Sequence, residues 1–453
     1  MKTEKLKQNV KGYVHQFEDG GLRLLRKGQK GVIHAIFSRF GLVLILLLLQ
    51  VGLLFSIFRW FGNLWPHYFG GSVVVTSAMV IYLLNSKMDN SAKITWMVVV
   101  AIAPVVGIPM FFYVKSNFGH NILRKRLLEL EDQLRGWLPQ SQKAVEQLKA
   151  LEPGAASLAK YLYGRGGGFP VYQNTAMTYF PGGEAKFEEL LRQLETAEEY
   201  IFVEYFIIDE GLMWGKILEV LARKALQGVD VRVMYDGTCE FSTLPRNDPR
   251  LLEKLNIQCK VFSPVQPFVS THYNYRDHRK ILVIDGRVGF TGGVNLADEY
   301  INHIQKHGRW KDAAVMLEGE AVRSLTAQFL QMWGILKEPE YEQFLTRPIP
   351  VPENAKGVAA PYGDCPLDGE RVGEMVYIDL LNRARDYIHI MTPYLILDGE
   401  LETALKFAAE RGVDVHLILP GKPDKQFPYA LAKSHYSALL DSGVKISEWI
   451  RFR

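Results

Sequence analysis

The sequence predicts an α/β protein with N-terminal transmembrane helices, followed by a duplicated α/β body with mixed sheets whose second half is incomplete. Three observations support this fold class: long apolar runs confined to the first 115 residues, strands that alternate with helices in the remainder, and a body segment that occurs twice. With 453 residues, 48% of them hydrophobic and 23% charged, the chain can build a sizeable core. This composition excludes a disordered chain and a small disulfide scaffold.

Residues 40–115 are predicted to form a membrane module behind a basic leader at 1–39. The apolar runs lie at about 40–58, 69–84 and 94–114, and their lengths are close to the roughly 20 residues that a helix needs to cross a bilayer core. A cleavable signal peptide does not fit, because the first long run begins only after the polar leader. We therefore expect a multi-pass protein of the cell membrane, with buried core helices of a soluble domain as the alternative.

The side of the membrane on which the body lies is left open by the sequence. Lysines and arginines of the leader favour a cytoplasmic N-terminus, and three spans would then place the body outside. The basic residues Lys115, Arg124, Lys125 and Arg126 follow the last apolar run and favour the opposite orientation. A second run that is re-entrant, or one half of a hairpin, would change the number of crossings.

An amphipathic linker helix is predicted for residues 116–155. Between Asn121 and Leu151 the apolar residues recur with helical spacing, and Pro153 and Gly154 are expected to end the helix. We expect this helix to lie on the membrane or against the body.

The body repeats one sequence pattern. Residues 199–203 and 386–390 each begin with an acidic residue, a tyrosine and an isoleucine that lead into a buried strand. Gly228 and Gly412 each begin the sequence Gly-Val-Asp-Val, which is typical of a helix C-cap glycine followed by a strand. Strands that alternate with helices predict βαβ units and a mixed or mainly parallel sheet. Two related halves, with a shared site between them, are therefore predicted at residues 156–345 and 355–453.

The most informative stretch for function runs from residue 274 to residue 295. Four apolar residues follow Lys280 and indicate a buried strand, so that His278 and Lys280, two residues apart, project from the same face. Gly293 permits a close backbone approach, and Asn295 can return a side-chain donor to the same place. Such a group suits phosphate, because the imidazole can attack phosphorus while the ammonium and the amide neutralise its oxygens.

The spacing His278-x-Lys280-x4-Asp285, followed by Gly-Gly-x-Asn295, matches the HxKxxxxD motif of the phospholipase D superfamily. The sequences NYRDHRK, GFTGGVNLADEY and GRWKDAAVMLEG, with the hydrophobic N-terminal module, resemble the bacterial cardiolipin synthases from about residue 70 onward. The resemblance implies a phospholipase D-like α/β sandwich and a phosphatidyltransferase that uses no metal or other cofactor. It further implies that a histidine attacks phosphatidylglycerol to form phosphatidyl-histidine. A second phosphatidylglycerol then resolves this intermediate, giving cardiolipin and glycerol.

The resemblance also implies a role for each matching residue. Asp285 would support the local structure of the motif. Asp312 matches an acidic position that can hold the second imidazole nitrogen and fix its tautomer, and Glu204 is a further candidate for the lining of the site. An ordinary salt bridge or a solvated strand end is the alternative for these two carboxylates. The candidate catalytic residues are His278, Lys280 and Asp285, and the candidate phosphate ligands are Lys280, Asn295 and Gly293.

The second half departs from the family pattern, which has one motif in each half so that one histidine attacks and the other protonates the leaving alcohol. Residues 441–449 resemble the family segment that leads into the second motif, and the chain then ends at Arg453. His435 has no such motif around it, and we expect it at most near the substrate. The leading hypothesis is therefore a C-terminally truncated phosphatidyltransferase, whose second sheet is expected to have an open edge.

Two further hypotheses stay open: a phospholipase D-type hydrolase, phosphodiesterase or nuclease, and a non-catalytic protein that binds anionic lipid. The expected partners are phosphatidylglycerol, other anionic phospholipids and the bilayer. No nucleic-acid partner is expected, because 53 basic and 49 acidic residues give a net charge of only +4. The scattered cysteines Cys239, Cys259 and Cys365 indicate thiols, with no metal site. The oligomeric state is left open.

Overall fold

A computed structural model describes most of the chain from residue 65 to residue 449. The described ranges are 48–49, 51–52, 65–88, 90–115, 118–244, 248–262, 276–306, 308–335 and 337–449. The chain divides into two compact units, of which one comprises residues 21–121 and 266–274 and the other comprises the remaining residues. The predicted leader at 1–39 lies outside the described residues, as does the predicted span at 40–58 except for four positions.

The described part of the smaller unit contains three consecutive helices. They are α1 (Trp65–Leu84), α2 (Asn90–Ile102) and α3 (Pro104–Lys115). The predicted apolar run at 94–114 is therefore broken at Ala103, because Pro104 disfavours a helical residue before it and cannot donate a backbone hydrogen bond. The chain folds back there, and the ring of Phe111 packs edge-on against Trp96 at 5.2 Å. Among the helices described, none is both long enough and apolar enough to cross a membrane. The predicted spans are thus not confirmed.

The predicted linker at 116–155 is also more than one helix. Its region contains α4 (Phe118–Trp137) and α5 (Gln142–Leu151), and α6 (Pro153–Gly164) begins before it ends. The first break precedes Pro139, and Ser141 then caps α5 by accepting a hydrogen bond from the amide of Ala144 at 3.3 Å. Pro153 begins α6 instead of ending a helix, because a proline at the first helical position has no amide to leave unsatisfied. Leu134 is fully buried in the core of the larger unit, so α4 packs against the body.

The first half of the body is built on a seven-stranded mixed sheet in the order β1-β7-β6-β5-β2-β3-β4. The strands β2, β3 and β4 are parallel, and the remaining pairs are antiparallel. The strands are β1 (Thr175–Phe180), β2 (Tyr200–Tyr205), β3 (Asp230–Asp236), β4 (Gln258–Phe262), β5 (Lys280–Ile284), β6 (Val288–Gly292) and β7 (Ala314–Gly319). The helices are α7 (Gly183–Leu194), α8 (Leu212–Leu226), α9 (Cys239–Ser242), α10 (Asp248–Glu253), α11 (Val322–Trp333) and α12 (Tyr341–Leu345).

Helices cover both faces of this sheet, and strand alternation decides which side chains meet each layer. Ile201 and Val203 of β2 pack on the side of α7 and α8, whereas Phe202 packs on the side of α11 and α12. The register pairs Tyr205 with Lys280 and Glu204 with Ile281. Tyr205 and Lys280 therefore face the α7 and α8 side, and Glu204 faces the α11 and α12 side.

The second half contains a three-stranded parallel sheet in the order β10-β9-β8. Its elements are α13 (Val372–Arg383), β8 (Tyr387–Met391), α14 (Gly399–Glu410), β9 (Asp414–Pro420), α15 (Gln426–Ser434), α16 (Tyr436–Asp441) and β10 (Lys445–Trp449). The two segments that repeat in the sequence occupy equivalent places. Tyr200 pairs with Asp230 as Tyr387 pairs with Asp414, and both C-cap glycines have left-handed φ angles of +97° and +92°.

The edge strand β8 differs from its counterpart β2 in one respect. In the first half, β5 pairs antiparallel with the side of β2 that faces away from β3. Within the described residues, β8 pairs only with β9, and Tyr387 on β8 is 67% exposed. The open edge predicted for the second sheet is therefore present in the described part of the chain.

Candidate active site

His278 and Lys280 lie at the beginning of β5. Lys280 is buried, and its Nζ donates a hydrogen bond to the carbonyl oxygen of His278 at 2.5 Å. The ring of His278 is open to solvent on one side and lies 4.7 Å from the ring of Phe206, measured between centroids. Lys280 thus fixes the main chain at His278, and both side chains project from the start of the strand, as the spacing predicted.

The surroundings lower the pKa of both side chains, His278 and Lys280. Burial of the ring, followed by the positive charges of Lys280 and Lys425, lowers the pKa of His278 to about 4. Burial likewise lowers the pKa of Lys280 to about 8, against the opposing charges of Asp277 and Asp312. At neutral pH a free imidazole lone pair therefore stands beside a cation, which suits attack on an anionic phosphodiester.

A cavity of about 1030 Å³ opens beside these residues. His278, Lys280 and the glycine pair that follows β6 form part of its lining. Leu127 of α4 contributes an apolar wall together with Leu325 and Met332 of α11. A cavity with a cationic, nucleophilic part and an apolar wall suits an amphiphile that carries a phosphate group.

Gly293 makes room for Asp312 behind the site. A Cβ atom at Gly293 would overlap the carboxylate of Asp312, and the Gly293 amide already donates to the carbonyl of Ala313 at 3.0 Å. Gly293 therefore has no free amide hydrogen to offer phosphate, contrary to its assignment as a phosphate ligand. Its role in this structure is to let a carboxylate approach the main chain.

Asp312 lies beside two lysines and makes no hydrogen bond to His278 within the described residues. Its carboxylate accepts the Ala313 amide at 2.8 Å, and burial raises its pKa, with Lys186 and Lys280 opposing the rise. The tautomer-fixing contact expected from the resemblance is therefore absent here. The reason is that the half-buried carboxylate accepts the amide of Ala313 and lies near the ammonium groups of Lys186 and Lys280.

Lys186 is a buried lysine close enough to Lys280 to influence its charge, and the sequence did not reveal it. It is fully buried on α7, where Nζ donates to the hydroxyl of Tyr205 at 3.0 Å and to the carbonyl of Val294 at 3.1 Å. Burial lowers its pKa to about 7; the charge of Asp312 opposes this shift and that of Lys280 adds to it. Nothing in the amphipathic pattern of α7 marks this lysine, because its partners come from distant elements.

Asn295 is used as a structural tie. Its Oδ1 accepts the amide of Ile207 at 3.1 Å, and its Nδ2 donates to the hydroxyl of Tyr300 at 2.8 Å. The side chain is buried and is not part of the cavity lining. Both polar atoms of the side chain are thus held by the protein, and its role as a phosphate ligand stays a prediction.

Asp285 holds the far end of β5. Its carboxylate accepts the amides of Glu198, Glu199 and Tyr200 at 2.8 to 2.9 Å, where the chain enters β2. The five residues of β5 place it roughly 16 Å from Lys280 at about 3.3 Å per residue. It therefore supports the local structure, as the resemblance implied, and is too distant to contact the reacting atoms.

Glu204 lies on the opposite face of the sheet from Lys280. It is completely buried, and its Oε1 is 3.8 Å from a guanidinium nitrogen of Arg279. It is not among the residues that line the cavity, and a role for it in the site stays a prediction. Neither is it a solvated strand end.

The second half reaches the site through the loop before α15. Lys425 lies near enough to His278 to lower its pKa, and the Lys425 ammonium lies 5.2 Å from the centre of the Tyr394 ring. The hydroxyl of Tyr394 donates to Asp424 at 2.5 Å. His435, by contrast, pairs with Glu402 at 2.9 Å and does not line the cavity. Both halves thus contribute charge around the same imidazole.

Comparison with known proteins identifies the family. The profile described as "Cardiolipin synthase, PLD-like domain" matches residues 190–333 and 377–451. A cardiolipin synthase from Geobacillus kaustophilus is 34% identical over 83% of this chain and 74% of its own length. The chain belongs to the cardiolipin synthase family. Family membership confirms the resemblance carried by the HxKxxxxD motif, and with it the phospholipase D-like α/β fold with a mixed sheet.

Two further relatives and one solved structure are similar to this chain. A cardiolipin synthase from Halalkalibacterium halodurans is 31% identical over 91% of this chain and 82% of its own. An uncharacterized protein from Streptococcus mutans is 55% identical over 82% of this chain and 80% of its own. A solved phosphatidylserine synthase from Haemophilus influenzae is 14% identical, with a TM-score of 0.43 over 62% of this chain and 74% of its own.

Proposed function

We propose that this family member is a phosphatidyltransferase that converts two molecules of phosphatidylglycerol into cardiolipin and glycerol. The observation that carries the proposal is that His278 and Lys280 together line a cavity with an apolar wall. The family relatives support a phosphatidyltransferase-type function.

In the proposed first step, the free nitrogen of His278 attacks the phosphorus of phosphatidylglycerol. An N–P bond forms while the bond from phosphorus to the glycerol oxygen breaks, and that oxygen takes a proton from water and leaves as glycerol. In the second step the hydroxyl of another phosphatidylglycerol attacks phosphorus, its proton passes to water, and the N–P bond breaks to release the imidazole. Lys280 would neutralise the charge that develops on the phosphoryl oxygens in both steps.

The proposal is tested with the purified protein in vesicles of phosphatidylglycerol. Cardiolipin and glycerol are measured by mass spectrometry, and acid-labile phosphohistidine is trapped after incubation with phosphorus-labelled lipid. His278→Asn is expected to abolish all of these signals. His435→Asn is the matched control, since His435 pairs with Glu402 away from the cavity, and it should retain them. A folded wild-type protein that forms neither phosphohistidine nor cardiolipin would refute the transferase and leave the non-catalytic alternative.

Hydrolysis is a second candidate, because the ring of His278 is open to solvent and water can reach a phosphorylated imidazole. The same assay separates the two reactions. Free phosphatidic acid without cardiolipin would establish the phospholipase D-type hydrolase. Cardiolipin in excess over phosphatidic acid would establish the transferase.

We also propose that the protein works at the cell membrane as a multi-pass protein. Apolar side chains of the smaller unit support this, since Val74 on α1 is 68% exposed and Ile102 on α2 is 76% exposed. The protein is expected to stay in the membrane pellet after carbonate extraction. Quantitative release into the supernatant would contradict the proposal.

A further inference from the structure

A buried pair of carboxyl groups lies next to the HxK motif, and one of them, Glu204, is on the face of the sheet opposite Lys280. Glu204 is completely buried in the middle of the sheet, and Asp277 is almost completely buried. Both oxygens of Glu204 and the Oδ2 atom of Asp277 have no hydrogen-bond partner within the described residues. The nearest guanidinium, that of Arg279, is 3.8 Å from Glu204, which is too long for a hydrogen bond.

Two ionised carboxylates cannot satisfy one another, because each accepts hydrogen bonds and neither donates. A buried acceptor without a donor is costly, and a buried like-charge pair is costlier. One proton placed between the two groups removes the like-charge repulsion and pairs two of the three unpaired oxygens. Glu204 then becomes a donor toward the unpaired Asp277 oxygen, and the pair carries a single negative charge beside Arg279.

Electrostatics favour Glu204 as the protonated member of the pair. Its burial, followed by the negative charge of Asp277, raises the pKa of Glu204 well above its usual range, and Arg279 opposes the rise. The Oδ1 atom of Asp277 already accepts the amide of Arg279 at 3.2 Å, which leaves its Oδ2 atom as the acceptor for the Glu204 proton.

Asp277 also holds the main chain on both sides of His278. Its side chain accepts the amide that follows His278, and its own amide donates to Oδ2 of Asp236 at 3.0 Å. Asp236 is itself fully buried and lies 3.5 Å from Arg276. The backbone that carries the imidazole is therefore set by this chain of contacts, in which the Oδ2 atom of Asp277 has no hydrogen-bond partner among the described residues.

We propose that Glu204 is a neutral carboxylic acid at neutral pH, donates a hydrogen bond to Asp277, and so positions His278 for attack on phosphorus. Glu204 is a positioning residue: it contacts neither the cavity nor the reacting atoms. Its effect on turnover rests on the proposed function, whereas its protonation state does not.

Infrared spectroscopy tests the protonation state without any reaction. At neutral pH the wild-type protein is expected to show the carbonyl stretch of a protonated carboxylic acid, sensitive to exchange into D₂O. Glu204→Gln should remove this band. The matched control Glu146→Gln, at an exposed acid on α5, should leave it unchanged. Absence of the band from the wild-type protein, or its persistence in Glu204→Gln, would overturn the proposal, and the wild-type spectrum decides even if the variant does not fold.

Activity tests the positioning role. Glu204→Gln keeps a neutral donor and should form phosphohistidine at a rate close to wild type. Glu204→Leu keeps the bulk and removes the donor, and a displaced imidazole should lower kcat about 10- to 100-fold with little change in KM. Equal rates for folded Leu and Gln variants would overturn the positioning role. A wild-type protein without phosphohistidine would refute the proposed function, while the infrared band would still decide the state of Glu204.

Discussion

Replacement of Asp285 by alanine should destabilise the first half without removing its chemistry. The Asp285 carboxylate accepts the amides of Glu198, Glu199 and Tyr200. The first two amides are exposed and can bind water, so each lost bond should cost about 1 kcal/mol. The amide of Tyr200 is partly buried, and its loss should cost about 1.5 to 3 kcal/mol.

The turn adds to this cost. Asp285 has a φ of +49°, a left-handed conformation that Asp and Asn tolerate and in which alanine costs roughly 1 kcal/mol. Asp285→Ala should therefore lose about 4 to 6 kcal/mol of unfolding free energy. Asp285→Asn keeps the turn and one acceptor oxygen, and should lose about 1 to 2 kcal/mol.

Urea unfolding followed by near-ultraviolet circular dichroism measures both values. At a temperature where both variants are folded, phosphohistidine formation should stay within a few-fold of wild type, because Asp285 lies at the end of β5 away from the imidazole. A loss below about 1 kcal/mol for the alanine variant would refute the stability reasoning. A folded Asp285→Asn variant without phosphohistidine would refute the distinction between support and catalysis.

Three further outcomes are expected. Phosphohistidine formation should fall below about pH 4 as His278 gains a proton and above about pH 8 as Lys280 loses one, and an acid midpoint near the ordinary histidine value would contradict this. Gly293→Ala should destabilise the protein by about 2 kcal/mol or more in urea, because its Cβ overlaps a carboxylate. Gly215→Ala on α8 has open space and should be stabilising by about 0.5 to 1 kcal/mol in the same assay, and the reverse order would contradict the packing. Tyr387→Lys on the open edge should reduce self-association in sedimentation, and an unchanged sedimentation profile would contradict a role of this edge.

Local periodicity is the part of this protein that sequence reasoning predicts well. The two Gly-Val-Asp-Val segments predict equivalent βαβ units, and Gly228 and Gly412 adopt the same left-handed cap. The two-residue spacing of His278 and Lys280 predicts their common face, because a strand alternates by geometry alone. Two helical runs that the sequence predicts as continuous are broken next to a proline. Pro104 and Pro139 divide these runs, although the apolar pattern continues across them.

The partners of polar side chains are much harder to predict from the sequence. Asn295 follows the motif at the expected distance, yet its amide is used by Ile207 and Tyr300. Lys186 lies 94 residues before Lys280 in the sequence and is placed near it only by the packing of α7 on the sheet. Spacing predicts which face a side chain occupies, whereas its hydrogen bonds depend on elements that are distant in the chain.

The charges around His278 show why the second half matters even without a motif of its own in the described residues. Partial desolvation of the His278 ring is the largest cause that lowers its pKa, and the charges of Lys280 and Lys425 lower it further. The two cations come from different halves. Their positive charge keeps the imidazole unprotonated, and it also attracts the phosphate of an anionic substrate. Lys425, which precedes α15 in the second half, lowers the pKa of His278 through its charge. Lys425→Met should therefore raise the acid midpoint of phosphohistidine formation. The control Lys433→Met, on α15 beside Tyr429, should leave the midpoint unchanged. An unchanged midpoint in a folded Lys425→Met variant would mean that the first half sets the state of its nucleophile by itself.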